Sequence, residues 1–213
     1  MINYRYLKRK IALFLEKNLL LLFFIIVFFV IGIVFGTLAV RTLDYAQKKE
    51  LVEYLGEFIV EINQLMRANK QLVAQNIIIS NLRFTFLFWL LGLTMLGAIL
   101  IPFIIFLRGF IIGFTVGFLL DQMFLRGIIL SIISVLPQNI IFLPSLLLGA
   151  LVSISFALTL GKGILMGSRY KFRLLITNYS IVMLMIGILL VMAGLVEAYI
   201  TPILIRTIAN YII

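Results

Sequence analysis

The chain has 213 residues, 64% of them hydrophobic, with a mean hydropathy of +1.23 and a net charge of +10. Soluble domains hold about 45–50% apolar residues, so a soluble globular core is excluded and lipid must solvate much of the surface. The absence of cysteine and histidine excludes disulfides, thiol nucleophiles, imidazole acid–base chemistry and the common zinc sites.

Residues 1–18 form a basic segment. Arg5, Lys8, Arg9, Lys10 and Lys17 face a single Glu16, which predicts a cytoplasmic N-terminus under the positive-inside rule. Residues 19–40 carry no charge, and a helix of that length crosses a hydrocarbon core of roughly 30 Å. The run is too long for a signal-peptide core and lacks a clear cleavage site, so it reads as a retained first span.

Residues 41–83 are the one long polar stretch and are expected outside the cytoplasm. Val52, Leu55, Ile59, Ile62 and Met66 recur at steps of three and four, widened by Leu51, Phe58, Leu65 and Leu72. Glu50, Glu53, Glu57 and Glu61 line the opposite face. This predicts an amphipathic helix with an acidic back. A membrane-surface helix favours Lys and Arg on its polar face, so the apolar stripe is a candidate partner-docking surface, or else it packs on its own bundle.

Residues 84–196 are expected to form a membrane bundle of four further spans, giving about five in all. The second is read as Phe84 to about Leu107, with a return to the cytoplasm near Arg108. The third, from Gly109 to about Leu125, exits near Asp121, Gln122 and Arg126. Ionisable groups at those ends are expected to snorkel to the interface. Gly109, Gly113 and Gly117 recur every fourth residue beside a ridge of Phe110, Phe114 and Phe118. Together with Gly32 and Gly36 they are candidates for close helix packing, inside the bundle or in a homo-oligomer.

The stretch 127–160 is too long for one helix and contains Pro137 and Pro144. Lys162, Arg169, Lys171 and Arg173 follow without an acid, and five spans keep them cytoplasmic. Gly127–Leu136 is therefore expected to be a re-entrant or half-helix, with a structural break at Pro137, Gln138, Asn139 and Pro144. The last span is Leu174–Val196, and residues 197–213 are expected as an extracytoplasmic tail.

Only eight carboxylates occur, five of them between Arg41 and Arg83. No buried carboxylate pair for hydrolysis is visible, and Gly161-Lys162-Gly163 lacks the spacing of a phosphate-binding loop. The expectation is therefore not an enzyme, with no catalytic residues, no cofactor and no metal. The basic residues sit at membrane edges, which points to lipid headgroups and not to nucleic acid. A transporter or channel component built around the proline break is the alternative reading.

The order of motifs resembles the stage II sporulation protein M family of spore-forming bacteria. The resemblance rests on Leu107-Arg108-Gly109-Phe110-Ile111-Ile112-Gly113-Phe114-Thr115-Val116-Gly117-Phe118, then Ser134-Val135-Leu136-Pro137-Gln138-Asn139 and Pro144. Gly32-Ile33-Val34-Phe35-Gly36 and Trp89 in Phe88-Trp89-Leu90-Leu91-Gly92 fit as well. The wider family often reads Pro-His-Gly and a Glu near the prolines. Here Pro137-Gln138-Asn139 and Phe142 stand instead, so no role of that His or Glu carries over. The resemblance implies an all-α multi-pass protein of the bacterial cell membrane, at the sporulation septum and the engulfing mother-cell membrane. It implies a non-catalytic scaffold for peptidoglycan hydrolases resembling stage II sporulation proteins D and P, a lytic transglycosylase and an amidase-endopeptidase. Such a scaffold supports septal wall thinning and forespore engulfment.

Overall fold

The computed structural model describes residues 4–68, 70–165 and 172–200, and all its elements are helical. In chain order they are α1 (Tyr4–Lys17), α2 (Leu19–Arg41), α3 (Tyr45–Ala68), α4 (Lys70–Gly92), α5 (Gly97–Leu165) and α6 (Phe172–Leu195), the last running into a π-helical turn (Val196–Ile200). Five segments are long and apolar enough to cross a membrane: Leu19–Arg41, Gln71–Gly92, Gly97–Gln122, Asn139–Gly163 and Arg173–Ile200. In lipid each backbone polar group must be satisfied within its own segment, which selects helices. The molecule is a polytopic α-helical membrane protein.

α5 is one helical run in name only. A straight helix would hold Arg108 and Phe142 roughly 50 Å apart. The Arg108 guanidinium instead lies 4.5 Å from the centre of the Phe142 ring. The run therefore turns back between Gln122 and Asn139, and its two arms, Gly97–Gln122 and Asn139–Gly163, lie side by side. Ile101 and Ile105 of the first arm share one core with Phe142, Leu146 and Leu151 of the second. Ile25 and Phe29 of α2, Phe88 of α4 and Met183, Ile186 and Leu190 of α6 complete it.

The first arm lies against α2, and the glycines decide how closely. A methyl group on Gly109 or Gly113 would strike the carbonyl oxygens of Phe29 and Ile33, and one on Gly32 or Gly36 those of Phe106 and Phe110. Gly117 faces the Cα of Thr37. Each of the four methyls would replace a Cα hydrogen that now points at a carbonyl oxygen of the other helix, a weak contact that recurs where helix backbones meet. Numbers rise together along both helices, so the two run parallel. The Thr37 hydroxyl lies within 2.9 Å of the Ile33 oxygen and 3.2 Å of the Gly113 oxygen, bridging the seam. Phe106, Phe110, Phe114 and Phe118 stack one above another, with ring centres 6.3–6.5 Å apart.

Two expectations are corrected, both on the bounds of spans: residues 71–83, expected outside, belong to the apolar segment Gln71–Gly92. The second span is not Phe84–Leu107: α4 ends at Gly92, the chain turns over Leu93–Leu96, and α5 begins at Gly97. Arg108 is therefore inside a span and not at a turn. The physical reason is that the apolar run continues unbroken through the turn, so hydropathy alone cannot place it. α5 is helical on both sides of Pro102, Pro137 and Pro144, and its reversal between Gln122 and Asn139 includes Pro137. Each proline removes one donor, a loss that neighbouring helices in a bundle tolerate. Gly127–Leu136 is helical in backbone, but its side chains, like those of Arg126 and Gln138, lie outside the described residues. So do Arg169, Lys171 and residues 201–213.

Ahead of α3, the backbone N–H of Asp44 donates to Gln47 Oε1 at 3.0 Å, one half of a capping box. Among the described residues α3 meets α4 only in the few pairs that succession along the chain provides, and Lys48 Nζ reaches Asp121 Oδ2 of α5 at 2.7 Å.

Candidate functional site within the helix bundle

Arg108 carries the one guanidinium that the fold draws into the core of the described bundle. It sits eleven residues into α5, about 16 Å from the start of that helix. Its guanidinium carbon lies 4.5 Å from the Phe142 ring centre and 5.4 Å from that of Phe84. Those two rings meet edge to face at 6.1 Å. The aromatic faces supply the negative potential that water would supply elsewhere. Its Nε is buried without a hydrogen-bond partner.

Glu197 comes from the other end of the chain to the same region. It lies close enough to Arg108 for each to feel the other's charge. It stands on the π-helical turn Val196–Ile200. Such turns widen a helix by one residue and are frequent at functional sites. Asn139, one turn before Phe142, is buried. On α4, buried Asn81 donates from Nδ2 to the Leu190 carbonyl at 3.2 Å, and the Thr85 hydroxyl is buried without a partner. Gly187 and Gly194 of α6 leave room for these two side chains. The result is a polar layer inside the bundle, contributed by α4, both arms of α5 and the π turn.

A second polar centre closes the opposite end of α4. Tyr179, 4% exposed, donates its hydroxyl proton toward the carbonyls of Phe88 (2.9 Å) and Trp89 (3.1 Å). These belong to the last turn or so of α4, where carbonyls lack intrahelical partners. Ser153 Oγ is 3.0 Å from the same hydroxyl, and the Tyr179 ring stacks on Phe156 at 4.2 Å. Trp89 Nε1 donates to Ser180 Oγ at 3.0 Å. Ser155 Oγ donates to Asn18 Oδ1 at 3.1 Å and so ties the start of α2 to the second arm.

The residues singled out from sequence fall into three groups. Gly109, Gly113 and Gly117 lie in the α2 seam, within one chain. Of the stripe, Val52 is exposed, while the side chains of Leu55, Ile59, Ile62 and Met66 lie outside the described residues. Of the proline region, Asn139 is buried, Pro137 is partly buried and Pro144 is exposed. Sequence reasoning missed the layer because it placed Arg108 and Glu197 at membrane edges. A usable signal was the Gly92-Leu93-Thr94-Met95-Leu96-Gly97 spacing, whose two glycines frame the true turn.

A bundle of apolar helices around a buried polar layer defines an integral membrane protein whose charged core residues come from distant parts of the chain. The Stage II sporulation protein M family model matches residues 25–202, and the chain belongs to that family. It is a sporulation-related membrane protein. No curated protein and no solved structure matches it.

Proposed function

We propose that the protein is a non-catalytic membrane scaffold. It anchors peptidoglycan hydrolases resembling stage II sporulation proteins D and P at the septal and engulfing membrane, and so supports wall thinning and engulfment. The observation that carries this reading is the family match over residues 25–202. Two features support it. The bundle is held internally by the α2 seam and the Tyr179 centre, as an anchor requires. And α3 stands apart from most of the bundle, with Val52 uncovered.

The proposed orientation puts the basic N-terminus in the cytoplasm and α3 outside, on the side of the cell wall. The parallel run of α2 and the first arm of α5 fits the order of spans, because first and third spans point the same way whichever side the N-terminus takes.

The test uses two variants of α3. Ile59→Asp would bury a charge in the stripe and should lower co-recovery of the hydrolases from sporulating membranes by at least tenfold, with normal insertion. Glu57→Lys, on the other face, should change recovery little. Normal engulfment with Ile59→Asp removes the stripe as the docking surface. Co-purification of solute-binding or ATPase subunits in place of hydrolases overturns the scaffold.

The transporter reading is favoured by one observation, the charged layer of Arg108 and Glu197 inside the membrane. It requires that Arg108→Met abolish a solute flux in sealed vesicles. The scaffold requires only that the variant lose stability.

A further inference from the structure

Arg83 is the residue whose place in the fold is least expected. It lies on α4 near the middle of the span Gln71–Gly92, yet its side chain is exposed on the outside of the bundle. Its neighbours on that face are the apolar Ile79, Phe86, Leu87 and Leu90, with Asn76 and Ser80 toward the start of the helix, all of them exposed. Among the described residues it makes no ion pair or hydrogen bond. Ionisable residues within spans almost always face the bundle interior or a water-filled cavity. Snorkelling does not relieve it. The nearer helix end, Gly92, is about 13 Å away along the axis, and an arginine side chain reaches roughly half that.

Beside this face lies a groove of about 640 Å³ between α4 and α6. Leu82, Thr85, Phe86 and Trp89 form one wall, and Met183 and Gly187 belong to the other. Phe86 lines the groove one turn from Arg83, and Thr85, whose hydroxyl is buried without a partner, belongs to the same wall. An apolar trough thus lies beside a face that carries an uncompensated cation.

We propose that this face docks a transmembrane helix of a different protein, one that carries a carboxylate near the middle of its span. Charge complementarity selects that occupant. A second copy packed on the same face would set Arg83 against Arg83. The acidic residues of this chain are placed elsewhere: Asp121 is held by Lys48, Glu197 feels the charge of Arg108, Glu16 is on α1, Asp44 precedes α3, and Glu50, Glu53, Glu57 and Glu61 lie on α3. Lipid phosphate stays at the bilayer surface, beyond the reach of the side chain. The inference does not depend on what the partner carries outside the membrane, and it stands or falls separately from the α3 docking surface.

The test places the full-length protein in phosphatidylcholine vesicles, with a fluorophore on a single cysteine at Thr94. The probes are acceptor-labelled Leu-rich transmembrane peptides that bear Glu or Leu at their centre. Energy transfer should report about tenfold tighter association of the Glu peptide, as expected for one interhelical charged contact in lipid. Arg83→Leu should abolish the preference and should insert at least as well as the natural chain. In cells, Arg83→Leu should lower the yield of spores at unchanged protein level. Equal binding of both peptides, a preference that survives Arg83→Leu, or normal sporulation of that variant overturns the proposal. So does Arg83-dependent transfer between two labelled copies of the chain, which would assign the face to self-association. A signal that requires added anionic lipid would assign it to headgroups.

Discussion

Two residues hold the bundle by opposite means. Tyr179 is neutral and well satisfied, joining α4, the second arm of α5 and α6 through one hydroxyl. Tyr179→Phe keeps the stack on Phe156 but strips the donor from two carbonyls and the partner from Ser153. Thermal unfolding in detergent should show a loss of about 1–3 kcal/mol, the cost of buried polar groups left unmade. Arg108 is charged and stabilised by rings and by Glu197. Arg108→Met leaves Glu197 inside the bundle without its nearby cation and should cost about 3–5 kcal/mol. Adding Glu197→Gln should return most of that loss, because the orphaned charge disappears. Additive losses in the double variant would show that the two residues do not act on each other.

At the scale of elements, the α2 seam follows from backbone approach more than from side-chain fit. Its glycines come from both helices, so bulk on either side has nowhere to go. Gly113→Leu should cost about 1–3 kcal/mol and lower the amount of folded protein in the membrane. Gly36→Ala should already be harmful, since its methyl meets a backbone oxygen that cannot move aside. Gly56 on α3 is the control, because a methyl there meets nothing within 4 Å. Gly56→Ala should leave folded yield unchanged or raise it, in line with helix propensity. Equal effects at positions 36 and 56 would place the seam in lipid and not between helices.

For the whole molecule, the absence of cysteine allows single-cysteine mapping. Cysteines at Lys10, Thr94 and Arg169 should resist an impermeant thiol reagent on intact cells, and one at Lys70 should react. Thr94 is the informative site, since it tests the turn at Leu93–Leu96. Labelling at Thr94 together with protection at Lys70 would invert the bundle. Labelling at Arg169 would break the five-span order.

The membrane class, the number of spans, the helical content and the glycine seam were legible in the residues alone. Hydrophobic length and charge asymmetry act locally, and a bilayer converts them directly into spans. A glycine every fourth residue is equally local. The turn after Gly92 was not legible from hydropathy, because lipid-facing and turn-forming residues are equally apolar there and only the spacing of Gly92 and Gly97 marks it. Arg108, Glu197 and Asn81 were not legible as one layer either. They lie far apart in the chain, and what joins them is the reversal of α5 and the meeting of α4 with α6. Arg83 is the sharpest case. Its charge and its place in the chain are plain from the residues, but whether it points inward or outward depends on how α4 rotates against its neighbours. That rotation is fixed by packing of Phe84 and Phe88 into the core, because apolar contacts over the whole helix outweigh the preference of one side chain.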